Sequence, residues 1–288
     1  MNAKQLKWVL LAVLALIWGS SFILIKKGLV GLNPFQLGSL RMLFAATFLV
    51  IIGFKSILKI PQHKWKFIAL TALFGIFIPA YFFALAETNI ESSVTSVLNA
   101  LTPLNALIIG VSVFKLELKR AQMLGVLIGF FGTLLLILNG AIHHPGQNYY
   151  YAIFAIVGSI CYGINVNLIK RHLSDLSPLS ITTGNFIILS IPAAIILYYS
   201  GFFNIMHEEE VRYSVWFILI LGVIGTGVAN ILFFKLIHMS SPVFSTMVTY
   251  LIPIVAFFWG VLDGEFLTGI QYLGASIILL GVYLSSKK

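Results

Sequence analysis

Apolar residues run along this chain in blocks of about 20, separated by short polar stretches. Twenty residues of helix rise about 30 Å, the thickness of a bilayer's hydrocarbon core. The blocks fall at about 7–26, 35–54, 67–86, 94–114, 121–139, 150–169, 179–199, 214–235, 243–262 and 269–285. They predict an all-α membrane protein with ten transmembrane helices. Several blocks contain Gly or Pro, which membrane helices tolerate because neighbouring groups re-satisfy the backbone.

Composition agrees. Of 288 residues, 59% are hydrophobic and 9% charged, with a mean hydropathy of +1.01. A soluble domain carries about 25% charged residues. The net charge of +9 follows the spans. With the N-terminus inside, 14 Lys and Arg fall on the inner side and 3 (Lys26, Lys27 and Arg212) on the outer, leaving Arg41 within a span. The positive-inside rule then places both termini in the cytoplasm of a cell whose plasma (inner) membrane holds the chain. The acids Glu87, Glu91, Glu208, Glu209, Glu210, Asp263 and Glu265 fall mostly outside. The basic balance is thus an orientation signal, with membrane lipid as the partner and no nucleic acid. The single cysteine, Cys161, lies in a span and permits no disulfide framework. Lys4 and Lys7 precede the first span as in a signal peptide, but no small-residue cleavage pattern follows, so this helix is read as retained.

The second half echoes the first. At a shift of 144 residues Trp18-Gly19 matches Tyr162-Gly163, Lys26 matches Lys170, and Leu32-Asn33-Pro34 matches Leu176-Ser177-Pro178. Further on the shift grows to about 149–150, where Thr102-Pro103 matches Ile252-Pro253, and Gln122, Gly125 and Gly132 match Gln271, Gly274 and Gly281. The expected units are residues 1–140 and 149–288, each with five spans. An odd number turns the second unit over in the membrane. The charges agree, since the lysine-rich loop near 55–66 has an acidic counterpart near 201–213. Inverted repeats of this kind build secondary transporters, with the site between the halves near mid-depth.

Several residues are candidates for that site. Trp18 lies about ten residues past Trp8, or about 15 Å, too deep for an interfacial belt. It either packs helices or lines a cavity. Tyr162 sits at the same depth, and its hydroxyl needs a partner. Pro103 and Pro253 fall near mid-span, where a proline frees a backbone carbonyl. Asn99, Thr102, Thr249 and Tyr250 flank them, and Tyr81 follows Pro79. Ser21 has Asn165 as its counterpart. Serine often bonds its own helix. Asn165 and Asn230 read as interhelical glue or as site. Arg41, about two turns from the outer end of its span, is either a gate or packing anchor, or a counter-charge for a substrate carboxylate. Gly125 and Gly129 form a GxxxG pattern that permits close contact within a subunit or in a homodimer.

In its ordered motifs the chain resembles the EamA family of the drug/metabolite transporter superfamily. The resemblance spans nearly the whole chain as two units. It rests on Ile17-Trp18-Gly19-Ser20-Ser21-Phe22, Leu40-Arg41, Thr102-Pro103, and Glu117 followed by Gln122, Gly125 and Gly132, with Pro253, Glu265, Gln271, Gly274 and Gly281 in the second unit. It implies a ten-helix bundle moving small organic metabolites, often amino acids outward, by alternating access. Tyr162 in place of tryptophan, and Asn185 in place of arginine, are departures in the second unit.

Other chemistries lack their parts. The histidines sit in loops or at span ends, no carboxylate lies at mid-depth, and there is no phosphate loop or metal cluster. The chain is therefore read as a non-enzyme without cofactor or metal, acting on a small-molecule substrate. A membrane-embedded lipid-modifying enzyme would depend on His143 with His144, or on Glu208 to Glu210, and a passive channel or scaffold is the third alternative.

Overall fold

The computed structural model describes residues 3–90, 92–115, 119–143, 148–262 and 269–286. In chain order its long helices are α1 (Gln5–Gly28), α2 (Pro34–Ile57), α3 (Gln62–Ala86), α4 (Thr95–Ser112), α5 (Arg120–His143), α6 (Ala152–His172), α7 (Pro178–Tyr199), α8 (Glu209–Met239), α9 (Pro242–Leu262) and α10 (Gly269–Ser286). Among the described residues there is no strand, and eight of these helices are long and apolar enough to cross a membrane. The other two are α5 and α10, which pack along each other. Glu91, Glu117, His144, Asp263, Glu265, Lys287 and Lys288 lie outside the described residues.

Three starts are set by the same local chemistry. Asn33 caps α2, accepting from the Phe35 and Gln36 amides while the Gln36 side chain returns to the Asn33 amide. Ser177 and Ser241 accept from Ser180 N and Phe244 N in front of Pro178 and Pro242. Proline at a first helical position loses nothing, because its N–H would have no partner there.

Lipid tails are as apolar as leucine, so close packing has to hold these helices together. Glycines supply it. A Cβ on Gly132 would come within 2.9 Å of Gly274 O, and one on Gly281 within 2.7 Å of Gly125 O. One on Gly53 would strike the Thr183 hydroxyl. Gly129 meets both Gly281 and the Tyr250 ring, so the GxxxG face is occupied within the chain. The outward faces are apolar, with Ile51 77% and Ile191 67% exposed. In water such surface would need a cover.

Four helices are irregular, and they come in matching pairs. α3 widens to π-helix at Leu73–Phe77 and α8 at Leu221–Val228. α4 breaks between Asn99 and Thr102, and α9 breaks at Met247. The break corrects the expected mid-helix position of Pro103, which opens the second segment of α4 instead. The carbonyl it leaves, Asn99 O, accepts the Thr102 hydroxyl at 2.7 Å. Pro253 does lie inside a helical segment, Val248–Leu262.

Candidate functional site

A cavity of about 70 Å³ opens where these irregular helices meet α1, α2 and α6. One water needs roughly 10–15 Å³ on this measure, so there is room for about five, the scale of a small organic solute. Of the sequence candidates, Trp18, Ser21, Arg41, Asn99, Thr102, Tyr162 and Asn165 are on its wall. Asn230, left open as glue or site, is there too.

Four candidates are elsewhere. Tyr81 is 5% exposed and hydrogen-bonds Ser39 at 2.9 Å, its ring against Gly38 and Phe77. Tyr250 is fully buried and donates to Val126 O at 3.1 Å. Both serve helix packing. Pro103 and Pro253 shape α4 and α9 but are not on the wall. Pro253 has no N–H to offer the carbonyl of Thr249, which is a wall residue. The sequence reading did not find Gly75, Phe83, Thr226 or Phe233. Their legible signal was two identical pairs at the 150-residue shift, Gly75 with Gly225 and Phe83 with Phe233.

The wall repeats itself. Trp18 packs edge-on against Phe233 at 4.9 Å, and Tyr162 stacks on Phe83 at 5.7 Å. These residues correspond at shifts of 144 and 150, so each pair is the other's counterpart. The glycines behave alike. A Cβ on Gly225 would come within 3.0 Å of Ser21 Oγ, and one on Gly75 within 2.5 Å of Asn165 Cγ. Each π-segment thereby lies against one member of the matched pair, Ser21 or Asn165.

Arg41 is the one charged side chain on the wall. Its Nε donates to Thr226 Oγ1 at 2.6 Å, and that hydroxyl spends its own proton on Leu221 O at 2.9 Å. Thr226 is therefore an obligate acceptor towards Arg41. Asn230 Nδ2 holds the same turn through Thr226 O at 2.8 Å. Among the described residues the guanidinium makes no ion pair and no other hydrogen bond. Its two terminal amino groups are left to the cavity.

Glu87, just beyond α3, is the carboxylate whose charge acts on Arg41. Ser92 donates to its Oε2 at 2.7 Å, and Oε1 is buried without a partner. Burial pushes its pKa up to about 8, against the opposing influence of Ser92, Arg41 and Lys26. At neutral pH it is mostly protonated, and Arg41 keeps its positive field. Among the described residues, no group of three His, Cys, Asp or Glu side chains comes together as a metal site would require.

A membrane bundle whose duplicated halves enclose a small, partly polar, singly charged cavity is of the transporter class. The EamA-like transporter family model matches the chain twice, over residues 6–138 and 150–287, and the chain belongs to that family. It is 26% identical to a protein of Archaeoglobus fulgidus named only as a transporter, over 98% of this chain and 99% of that one. It is 25% identical to the "probable amino-acid metabolite efflux pump" of Escherichia coli K12, over 96% and 93%. The inner membrane transporter YedA of the same strain is 25% identical over 95% and 88%. A solved crystal structure matches 96% of this chain and 95% of its own with a TM-score of 0.72 at 17% identity, a likeness of fold. The chain is an integral membrane protein, and the relatives are named as transporters, not as enzymes.

Proposed function

We propose that the protein is a secondary carrier of small polar metabolites of the amino-acid kind. The cavity between α1, α6 and the irregular helices is its solute site. Two inverted halves, 1–140 and 149–288, expose it alternately to either side, with α5 and α10 as the ninth and tenth spans and both termini cytoplasmic. The observation that carries this reading is Arg41. A guanidinium inside a bilayer span costs roughly 2.5–3.5 kcal/mol on insertion scales. Here it lines a cavity with its terminal amino groups unspent among the described residues. A solute carboxylate is the group that such a fork fits. The amino-acid class is supported by the name of the E. coli relative. No carboxylate on the wall offers a counter-charge to a plain cation.

Counterflow tests the carrier. Proteoliposomes preloaded with unlabelled amino acid should accumulate the labelled one transiently, with no imposed pH gradient. Flux that simply equilibrates, without overshoot, belongs to a channel and would end this reading. Uptake that needs a pH gradient, and is uncoupled in Glu87→Gln, would move energy coupling to the end of α3.

A further inference from the structure

The cavity's wall residues on α1, Trp18, Ser21, Phe22 and Ile25, all belong to the second half of that helix. Towards the other end of the bundle, which the charge pattern reads as cytoplasmic, an apolar cluster shuts the way. Leu11, Leu14, Leu173, Phe234 and Met247 meet in it, each 2% exposed or less. Ile169 belongs to it too, so the cluster holds α6 on either side of a basic last turn, Lys170, Arg171 and His172.

That turn binds all four irregular helices. Lys170 Nζ donates to Ser240 O at 2.9 Å, Ile237 O at 3.2 Å and His238 O at 3.4 Å, where α8 turns into α9. Arg171 Nη1 donates to Phe114 O at 3.0 Å, just past α4. Lys64, at the start of α3, donates to His172 O at 2.7 Å and pairs with Asp175 at 2.8 Å. Most of the acceptors are backbone carbonyls at helix ends, which lack a partner within their own helix and attract a cation. Water serves such carbonyls when a cation withdraws, so these bonds can break and re-form. The Asp175 side chain is 58% exposed, and a pair so placed adds little by itself.

Resting on the carrier reading, we infer that residues 170–175 are the latch of the cytoplasmic gate. While they hold the inner ends of α3, α4, α8 and α9 together, the cavity is closed to the inside. Their release lets those helices part. Lys170 is the main pin, with three carbonyls on one ammonium. Its counterpart at the 144-residue shift, Lys26, stands in the last turn of α1, at the opposite end of the bundle, where an inverted repeat would put the matching device.

The test labels one thiol from both sides. Full-length protein carrying Cys161→Ser and Ser21→Cys is placed in oriented vesicles, and a membrane-impermeant maleimide is applied to either face. Adding Lys170→Met should raise the labelling rate from the cytoplasmic face by about tenfold, the weight of one charge-assisted hydrogen bond, and lower it from the outer face. Lys170→Arg, which keeps a cation at the same carbonyls, should stay close to the parent. Arg171→Gln should give the same opposed shift if Lys170→Met fails to fold. A merely loosened bundle would label faster from both faces. That result, or rates unchanged in the folded variants, overturns the inference. The opposed shift in a protein that shows no counterflow would instead sink the carrier reading and leave the latch standing.

Discussion

The α1 wall and the α6 wall of the cavity are built on aligned residues, yet they do different things. On the α1 side the polar groups are spent. Trp18 Nε1 donates to Gly225 O at 3.0 Å, and Ser21 bonds its own helix. On the α6 side, Tyr162 and Asn165 make no hydrogen bond among the described residues. The second helices differ in the same way. Arg41 turns its fork to the cavity, whereas Asn185, its counterpart, is fully buried beside Thr71, 3.0 Å away. The broken helices differ too, since Ile252 stands at the place of Thr102 and has no hydroxyl for the Thr249 carbonyl. The shared frame is packing: glycines, aromatic pairs and π-segments recur. The chemistry sits where the two halves depart from one another. Two identical walls would present the same groups either way round, and these present different ones.

The largest expected effect comes from breaking the Arg41/Asn185 difference. Hydrogen bonds to a charged group are worth about 1.5–3 kcal/mol, so Arg41→Gln should weaken carboxylate binding by roughly 10- to 150-fold in a competition assay. Asn185→Leu removes a buried amide that works only for packing. It should lower thermal stability and leave solute affinity within about twofold. Equal losses from both variants would erase the contrast.

A smaller effect should separate the two aromatic counterparts. Tyr162→Phe removes a hydroxyl that has no described partner, so the fold should tolerate it. Affinity should drop about two- to tenfold, the scale of one neutral hydrogen bond. Trp18→Phe removes the bond to Gly225 O and should appear mainly as a lower melting temperature. The reverse pattern would mean that Trp18 faces the solute and Tyr162 holds the helices.

The smallest effect concerns pH. Glu87 has its pKa raised from an ordinary 4.5 to about 8. As pH rises through 8 in the folded protein it gains a negative charge near Arg41, so carboxylate affinity should decline modestly above that pH. The same shift favours the folded state below about pH 4.5, and this contribution should fade between pH 4.5 and 8. Glu87→Gln should flatten both trends. An identical affinity profile in wild type and Glu87→Gln would remove Glu87 from the electrostatics of the site.

Much of this was legible in the sequence, because depth in a membrane is set by counting residues. Trp18, Tyr162, Ser21 and Asn165 fall at matched depths, and all reach the cavity. Direction around the helix is harder to read. A helix that is apolar all round gives no amphipathic stripe to show which face turns inward. Tyr81 and Tyr250 have the right kind of side chain but turn into helix interfaces instead. The π-segments were hidden for a different reason. Their glycines, Gly75 and Gly225, lie against Asn165 and Ser21 on distant helices, and local propensity does not encode such contacts. The break at Asn99 likewise recast Pro103 from a kink into a helix start.

The central claim is that one mid-depth cavity holds the solute and opens alternately to both sides. Thiol accessibility at position 21 tests it directly. In a Cys161→Ser background, Ser21→Cys should react with a membrane-impermeant reagent from either face of oriented vesicles, and saturating amino acid should slow both reactions. A thiol that is inert from both faces, or open to one face only and indifferent to solute, would contradict the account.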